Sequence, residues 1–598
     1  MRRLRPSAQP SRWSSCRNSA RPKVSAKNSE WRIIGDHNAE HSQNIHSRPI
    51  IRIKAGQRKE ITDQAEDAIL KVDNNGGLYQ RGGLIVRVGY EKTKTWDEKD
   101  IETQAIVECG GHYLKETIGS FCTFTKYDGR SKRDVASDPP EWISDTLKQR
   151  RELLRLPVLN GVSNCPILRA NGELITEPGY HAGTGLYYDP RGTRFSNIAR
   201  APSKEDAQRA LDRIKKLFRT FPFIGTKGNN PNLSVALSYL LTAVARRALD
   251  FVILHAFDAP IAGSGKSMIS DIVALITTGD RAAVIAHTED QAEFNKLFDA
   301  IQMKGLSLIP IDNCEGPLGG TKLNQAITQT SIDCRILGKS ETVRVRSLAT
   351  ISANGNNLVL EGDLTRRAAC GRMDAGCERP ELLKFDYSPL KDATENRAEL
   401  ITAALTVLRA YHVAGRPVRE ILQGFEEWSI LIRGTLIWLG EADPLETMSE
   451  IRKNDPKQSG LRTIMCQWAE HWPPEVPVTA AEMIKKAEAW EPGSGHVNTG
   501  WRDALMTVAS IGNNISNRRL GTWLGRNKSK VVEFSDTRGT YKVSIEPSAQ
   551  AYGIGQWALI EKKLTENTKA GHPNSTWWGS DGKETNAAME EAARRWKR

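Results

Sequence analysis

Gly263, Gly265, Lys266 and Ser267 close an apolar run that reads Phe251-Val-Ile-Leu-His-Ala-Phe-Asp-Ala-Pro260-Ile-Ala-Gly-Ser-Gly-Lys-Ser267. Glycines let backbone N–H groups curl around an anion, the lysine adds an ammonium, and the serine offers a hydroxyl to a hard cation. That is the chemistry of a phosphate chain with Mg2+, so Ala262, Gly263, Ser264, Gly265, Lys266 and Ser267 form the expected nucleotide-contacting set. Pro260 stands where the strict G-x-x-x-x-G-K-[ST] pattern has its first glycine.

A second chemical group follows downstream. Leu306-Ser-Leu-Ile-Pro-Ile-Asp312-Asn313 reads as a buried strand ending in a carboxylate, placed to share a Mg2+ shell with Ser267. An ordinary strand-end turn is the plainer reading of Asp312. Leu348-Ala-Thr-Ile-Ser-Ala-Asn354 is a third apolar strand, whose terminal Asn could touch a γ-phosphate, orient water, or simply cap the strand.

These residues need a strand, a turn and a helix in that order. Met268 to Thr277 supplies the helix, with its N-terminal dipole toward the anion. Helical periodicity predicts further helices over Ala207–Phe218, Leu233–Leu249, Gln291–Met303, Leu400–Ala414 and Phe425–Leu439. The expected divisions are a basic disordered tail (1–58), a small α+β module (59–150), a connecting β segment with helices (151–248), an ATPase core (249–385), a helical lid (386–455), a winged-helix-like domain (456–562) and a loose polar tail (563–598). The small module is read from a helix at Ile61–Leu70 and two strands around the glycine turn within Gly77–Gly89. A further helix is expected from Asp138-Pro-Pro140 to about Leu156.

Of the net charge of +13, most of the excess sits before residue 60, where fourteen Lys/Arg face three acids. That stretch reads equally as an electrostatic arm or as a solvated leader. A more local bias lies between 516 and 545, where seven Lys/Arg oppose Glu533 and Asp536. Arg518, Arg519, Arg526, Lys528 and Lys530 are its core, a DNA-binding surface or a solvated basic face. Nine scattered cysteines give neither a disulfide framework nor zinc spacing, and the longest apolar stretch is broken by Arg246, Arg247 and Asp250. No membrane partner is expected, and the cytoplasm is the expected compartment.

In order and spacing, Ala259–Ser267, Ile309–Asn313, Ser352–Leu358 and Gly362–Arg367 followed by Glu378-Arg-Pro-Glu381 resemble the AAA+-type ATPases of phage and plasmid primase-helicases, akin to superfamily-three helicases. The resemblance covers about Leu159 to Asp443, with a weaker one over the C-terminal region. It implies an α/β fold with a P-loop AAA+-type core, ATP and Mg2+ as cofactors, and DNA, single-stranded or forked, as partner. It also implies self-association, as a hexamer, and a separate primase or other replication proteins as partners. By the same resemblance Asn354 would sense the γ-phosphate, and Arg366 or Arg367 would reach a neighbouring subunit's site. Lys339 would tip a DNA-gripping hairpin within Cys334–Val345.

Two departures temper this. Asn313 occupies the position where many relatives carry an acid, which leaves Glu293, on the preceding helix, as a substitute catalytic base. No acidic metal-binding pattern of a primase precedes residue 150. The expected function is an ATP-dependent DNA helicase or translocase of a mobile element, acting in replication. The alternative is an ATP-controlled initiator or regulator with little hydrolysis.

Overall fold

The computed structural model describes residues 31–33, 48–94, 100–226, 228–338, 340–418, 420–453, 456–491, 495–536, 539–551 and 554–562. The N-terminal elements are β1 (Ile50–Ile53), α1 (Arg58–Leu70), β2 (Tyr79–Arg81), β3 (Leu84–Lys94), β4 (Asp100–Glu108), α2 (Gly111–Phe121), β5 (Thr123–Asp128), β6 (Arg133–Ser137) and α3 (Trp142–Arg150). β1, β5 and β6 form one sheet, with β1 parallel to β5. Ile51 and Phe124 point from it into a core shared with Ile61 of α1 and Ile118 of α2. β1 lies upstream of residue 59, so the tail expected to run to 58 stops short of that boundary. The helix expected to reach Leu156 ends at Arg150 instead, because Arg151 turns to a left-handed φ of 45°.

The central elements are α4 (Lys204–Lys215), α5 (Pro231–Ala245), β7 (Leu254–Ala259), α6 (Lys266–Thr278), β8 (Ile285–Ala286), α7 (Gln291–Met303), β9 (Leu308–Asp312), α8 (Thr321–Thr328), β10 (Ser331–Arg335), β11 (Thr342–Arg346), β12 (Thr350–Asn356), β13 (Ala368–Arg372), α9 (Pro389–Glu395) and α10 (Arg397–Val413). Five of the strands make a parallel sheet in the order β8-β9-β12-β7-β13. Parallel strands are covered on both faces, which is why they read as unbroken apolar runs. Leu254, Phe257, Ile309 and Ile311 are all fully buried. Each such side chain stabilises the fold by roughly 1.5–3 kcal/mol, so the base on which the glycine turn stands is stiff. β10 and β11 form an antiparallel hairpin between β9 and β12.

Arg81 ties the N-terminal elements to this core. Its buried guanidinium donates to the carbonyl of Asn160 at 2.6 Å and to that of Gln302, on α7, at 3.0 Å. Ile106 adds a backbone bond to Lys304 at 3.0 Å. With both terminal nitrogens bonded to carbonyls, and Nε without a partner among the described residues, the buried cation is tolerated at this packed junction.

The C-terminal elements are α11 (Pro456–His471), β14 (Val478–Thr479), α12 (Ala480–Ala487), α13 (Thr499–Ala509), α14 (Asn517–Asn527), β15 (Val531–Asp536), β16 (Gly539–Ala551) and β17 (Ile554–Lys562). Their sheet runs β14-β17-β16-β15 and shares an apolar cluster with Trp468, Met483, Trp501 and Leu520. Among the described residues no helix is long and apolar enough to cross a membrane.

Candidate functional site

The apolar strand β7 delivers the chain to the glycine turn, and Pro260, which lacks an N–H, follows its last residue. Gly263 and Gly265 take φ of 80° and 88°, a region that a side chain disfavours. Space closes the same positions. A Cβ on Gly263 would stand 3.2 Å from Glu381, and one on Gly265 would stand 3.1 Å from Phe221. Gly265 is the N-cap of α6, so that helix presents its free N–H groups toward the turn. Ser264 braces the turn by donating to the Ile261 carbonyl at 2.7 Å, while Ala262 lies exposed.

Lys266 is almost completely buried, and its Nζ donates to Asn356 Oδ1 at 2.7 Å and to the Ile261 carbonyl at 3.1 Å. Burial lowers its pKa, and the carboxylates of Asp258 and Asp312 act in the opposite sense. Ser267 Oγ donates to Asp312 Oδ1 at 3.2 Å, which joins the head of α6 to the end of β9. This hydroxyl–carboxylate pair, beside a lysine and a glycine-built concavity, fits an anionic phosphate chain with a hard divalent cation.

Asn313 adopts a left-handed φ of 54°, a conformation asparagine tolerates far better than glutamate. Its backbone N–H donates to Asp312 Oδ1 at 2.8 Å and to Asn354 Oδ1 at 3.4 Å, and its side-chain amide donates to Glu315 Oε1 at 2.9 Å. Asn354 is nearly fully buried on β12, and its carbonyl accepts from Cys314 at 3.0 Å. It therefore holds the loop after β9, while the lysine is held by Asn356, two residues further along the strand.

The remaining expected residues lie elsewhere. Glu293, in the first turn of α7, is exposed and pairs with Lys296 at 3.0 Å, so no hydrogen bond of the described residues brings it to Asp312. Arg367 donates to Thr328 Oγ1 at 3.0 Å and is largely buried, and burial lowers its pKa. Arg366 pairs with Asp363 and leaves 60% of its side chain exposed. Arg367 is engaged with α8 and with Asp363, and Arg366 with Asp363, so no hydrogen bond or ion pair of the described residues joins either to the Lys266 site. Lys339 lies outside the described residues. Arg518 and Arg526 are exposed on α14, Lys528 is exposed just beyond it, Lys530 donates to Asn527 Oδ1 at 2.9 Å, and Arg519 bonds the Ser510 carbonyl.

Several site residues were not anticipated from sequence. Asn356 stands one glycine beyond Asn354, and only the true end of β12 singles it out. Glu315 places a carboxylate two residues after Asn313. A cavity of about 370 Å3 opens at the carboxyl ends of β7, β12 and β13, lined among others by Asp258, Pro260, Asn357, Arg372 and Asp374. A second, of about 290 Å3, lies by His287, Glu289 and Glu361, and the His287 backbone N–H donates to the Asp312 carbonyl at 3.0 Å. Burial depresses the His287 pKa, against the pull of Glu289 and Glu315.

No family model and no curated protein matches the chain. Among solved structures it is similar to the A form apo structure of the NrS-1 C-terminal region, at 9% identity and a TM-score of 0.32, covering 76% of this chain and 100% of that one. A second apo structure of the NrS-1 C-terminal region matches at 12% identity and a TM-score of 0.33, covering 79% of this chain and 96% of that one. At such TM-scores the likeness decides neither fold nor function.

Proposed function

We propose that the chain is an ATP-hydrolysing DNA helicase or translocase of the AAA+ type, acting as an oligomeric ring in the replication of a phage, plasmid or integrated mobile element. The observation that carries this reading is the 3.2 Å bond from Ser267 to Asp312, next to buried Lys266, at the carboxyl ends of one parallel sheet. Open α/β sheets bind ligands at that edge, where the strand order reverses. The order β8-β9-β12-β7-β13 places the glycine-turn strand between β12 and β13, with the carboxylate strand on the other side of β12. ATP is the nucleotide that the motif resemblance implies.

In this reading the glycine-turn N–H groups and Lys266 orient the phosphates, and Ser267 and Asp312 are the residues that would hold Mg2+. When bound, that ion would neutralise charge on the β- and γ-phosphates. Arg366, the more exposed of the arginine pair, would be offered to a neighbouring copy. The β10–β11 hairpin and the basic face of α14 would contact DNA. The test is unwinding of a forked duplex with Mg-ATP, alongside sedimentation with and without nucleotide. ATP-dependent assembly with unwinding supports the reading; intact ATP turnover with no unwinding and no stimulation by single-stranded DNA contradicts it.

One observation favours a second reading, a DNA-binding initiator or regulator whose assembly is set by bound ATP. Asn313 carries no acid, and its amide is spent on Glu315. If Glu315→Gln, Glu293→Gln and Asn313→Ala all leave a slow basal turnover unchanged while ATP-dependent assembly persists, the switch is the better description. A large loss with Glu315→Gln would instead give the motor its base.

A further inference from the structure

The outer face of the β1-β5-β6 sheet carries exposed Ile50, at 71%, and Tyr127, at 56%, while the inner face is filled by buried Ile51 and Phe124. Arg52 lies on that outer face, 5.9 Å from the Tyr127 ring centroid and 2.9 Å from Asp134. Register places Arg52 beside Thr125, and Tyr127 beside Asp134. The turn that follows Tyr127 then presents Arg130 and Lys132, with Lys126 before it and Arg133 after it, all exposed. Among the described residues these four cations form no ion pair with a carboxylate, whereas the two acids of the hairpin are already used. Asp134 is paired with Arg52, and Asp128 accepts the N–H groups of Arg130 and Ser131 at 3.1 and 3.2 Å.

We infer that this face binds a single-stranded nucleic acid, with a base stacked on Tyr127 and flanking phosphates against Arg130 and Lys132. An exposed ring with a cation beside it and unpaired positive charge at one end is complementary to a strand whose bases are unstacked and whose backbone is anionic. A duplex hides its base faces, so the ring selects single strands. Arg52 lies over one face of the ring, so the base would stack on the other, and Ile50 extends the apolar surface by which a neighbouring base can lie. The inference stands on this geometry alone and needs neither nucleotide binding nor the C-terminal basic helix.

The test uses the full chain and 20-nucleotide strands of bromodeoxyuridine or bromouridine, irradiated and mapped by mass spectrometry. The expected result is a crosslink within residues 123–137 that Tyr127→Ala removes and Tyr127→Phe retains. The two sugar types separate DNA from RNA preference. By fluorescence anisotropy Tyr127→Ala should weaken binding roughly five- to tenfold. Arg130→Glu with Lys132→Glu should flatten the slope of log affinity against log salt by about 1.4, at about 0.7 for each phosphate that the variant no longer neutralises. The crosslink should persist in Lys266→Ala, which separates this site from any failure of the ATPase reading. Absence of any crosslink in residues 123–137, with affinity unchanged in both variants, would overturn the inference.

Discussion

Lys266 Nζ lies 2.7 Å from Asn356 Oδ1, so the ammonium at the head of α6 is gripped by the last residue of β12. Asn354, on the same strand, serves a different purpose. Its Oδ1 accepts the Asn313 N–H and fixes the loop that follows Asp312. Asn356→Ala should therefore cut ATP turnover severalfold with little change in melting temperature. Asn354→Ala should lower the melting temperature as well, because Asn354 is buried on β12 and its side chain anchors the loop after β9. Thermal melts and steady-state rates on the two variants check the split; equal behaviour would contradict it.

The arginine pair divides in the same way. Arg367 is held against Thr328 and Asn324, whereas Arg366 is held, among the described residues, only through Asp363 at the surface. Arg366→Ala should lower turnover by about a thousandfold, the scale of an arginine finger, without loss of stability. Arg367→Ala should chiefly destabilise. If Arg366 acts across subunits, mixing Arg366→Ala with Lys266→Ala should restore measurable turnover, since some interfaces then hold an intact lysine and a neighbour's intact arginine. No recovery in the mixture would assign Arg366 another role.

His255 gives a pH prediction that involves no ligand. It is fully buried in β7, with one ring nitrogen 3.1 Å from Ser238 Oγ and Nδ1 without a partner among the described residues. Burial pushes its pKa from the ordinary 6.5 down to about 3. The unfolded chain thus takes up a proton at this residue between those values and the folded chain does not. The stability is fully present above pH 6.5 and falls as pH drops from 6.5 toward 3, by up to about 1.4 kcal/mol per unit. His255→Phe should flatten the fall in urea midpoint between pH 7 and pH 5. An unchanged slope would show that the acid sensitivity lies elsewhere.

The parallel sheet was legible where a strand was a run of large apolar residues followed by a polar end, as at Leu308–Asp312, and at β7 from the apolar Phe251–Leu254 that leads into it. β13, with the sequence Ala-Ala-Cys-Gly-Arg, was not, because small residues give no strand pattern until their neighbours bury them. α14 was hidden for the opposite reason. Gly521 and Gly525 lower its helix propensity, and it forms because Leu520 and Leu524 are buried on one face. The glycine turn, Lys266, Ser267 and Asp312 could be read from residue types at fixed spacing. Asn356, Glu315 and the approach of Glu381 to Gly263 could not, since each depends on where a strand ends or how a distant loop returns. For Glu293, helix position alone could not say which way the carboxylate is drawn, and in the fold it pairs with Lys296.

The most direct measurement is the steady-state rate of ATP hydrolysis with and without single-stranded DNA, wild type against Lys266→Ala. A motor built on the Lys266–Ser267–Asp312 site predicts a rate raised several times by DNA and reduced at least a hundredfold in the variant under both conditions. A rate that DNA leaves unchanged, or that survives the loss of Lys266, would contradict that account.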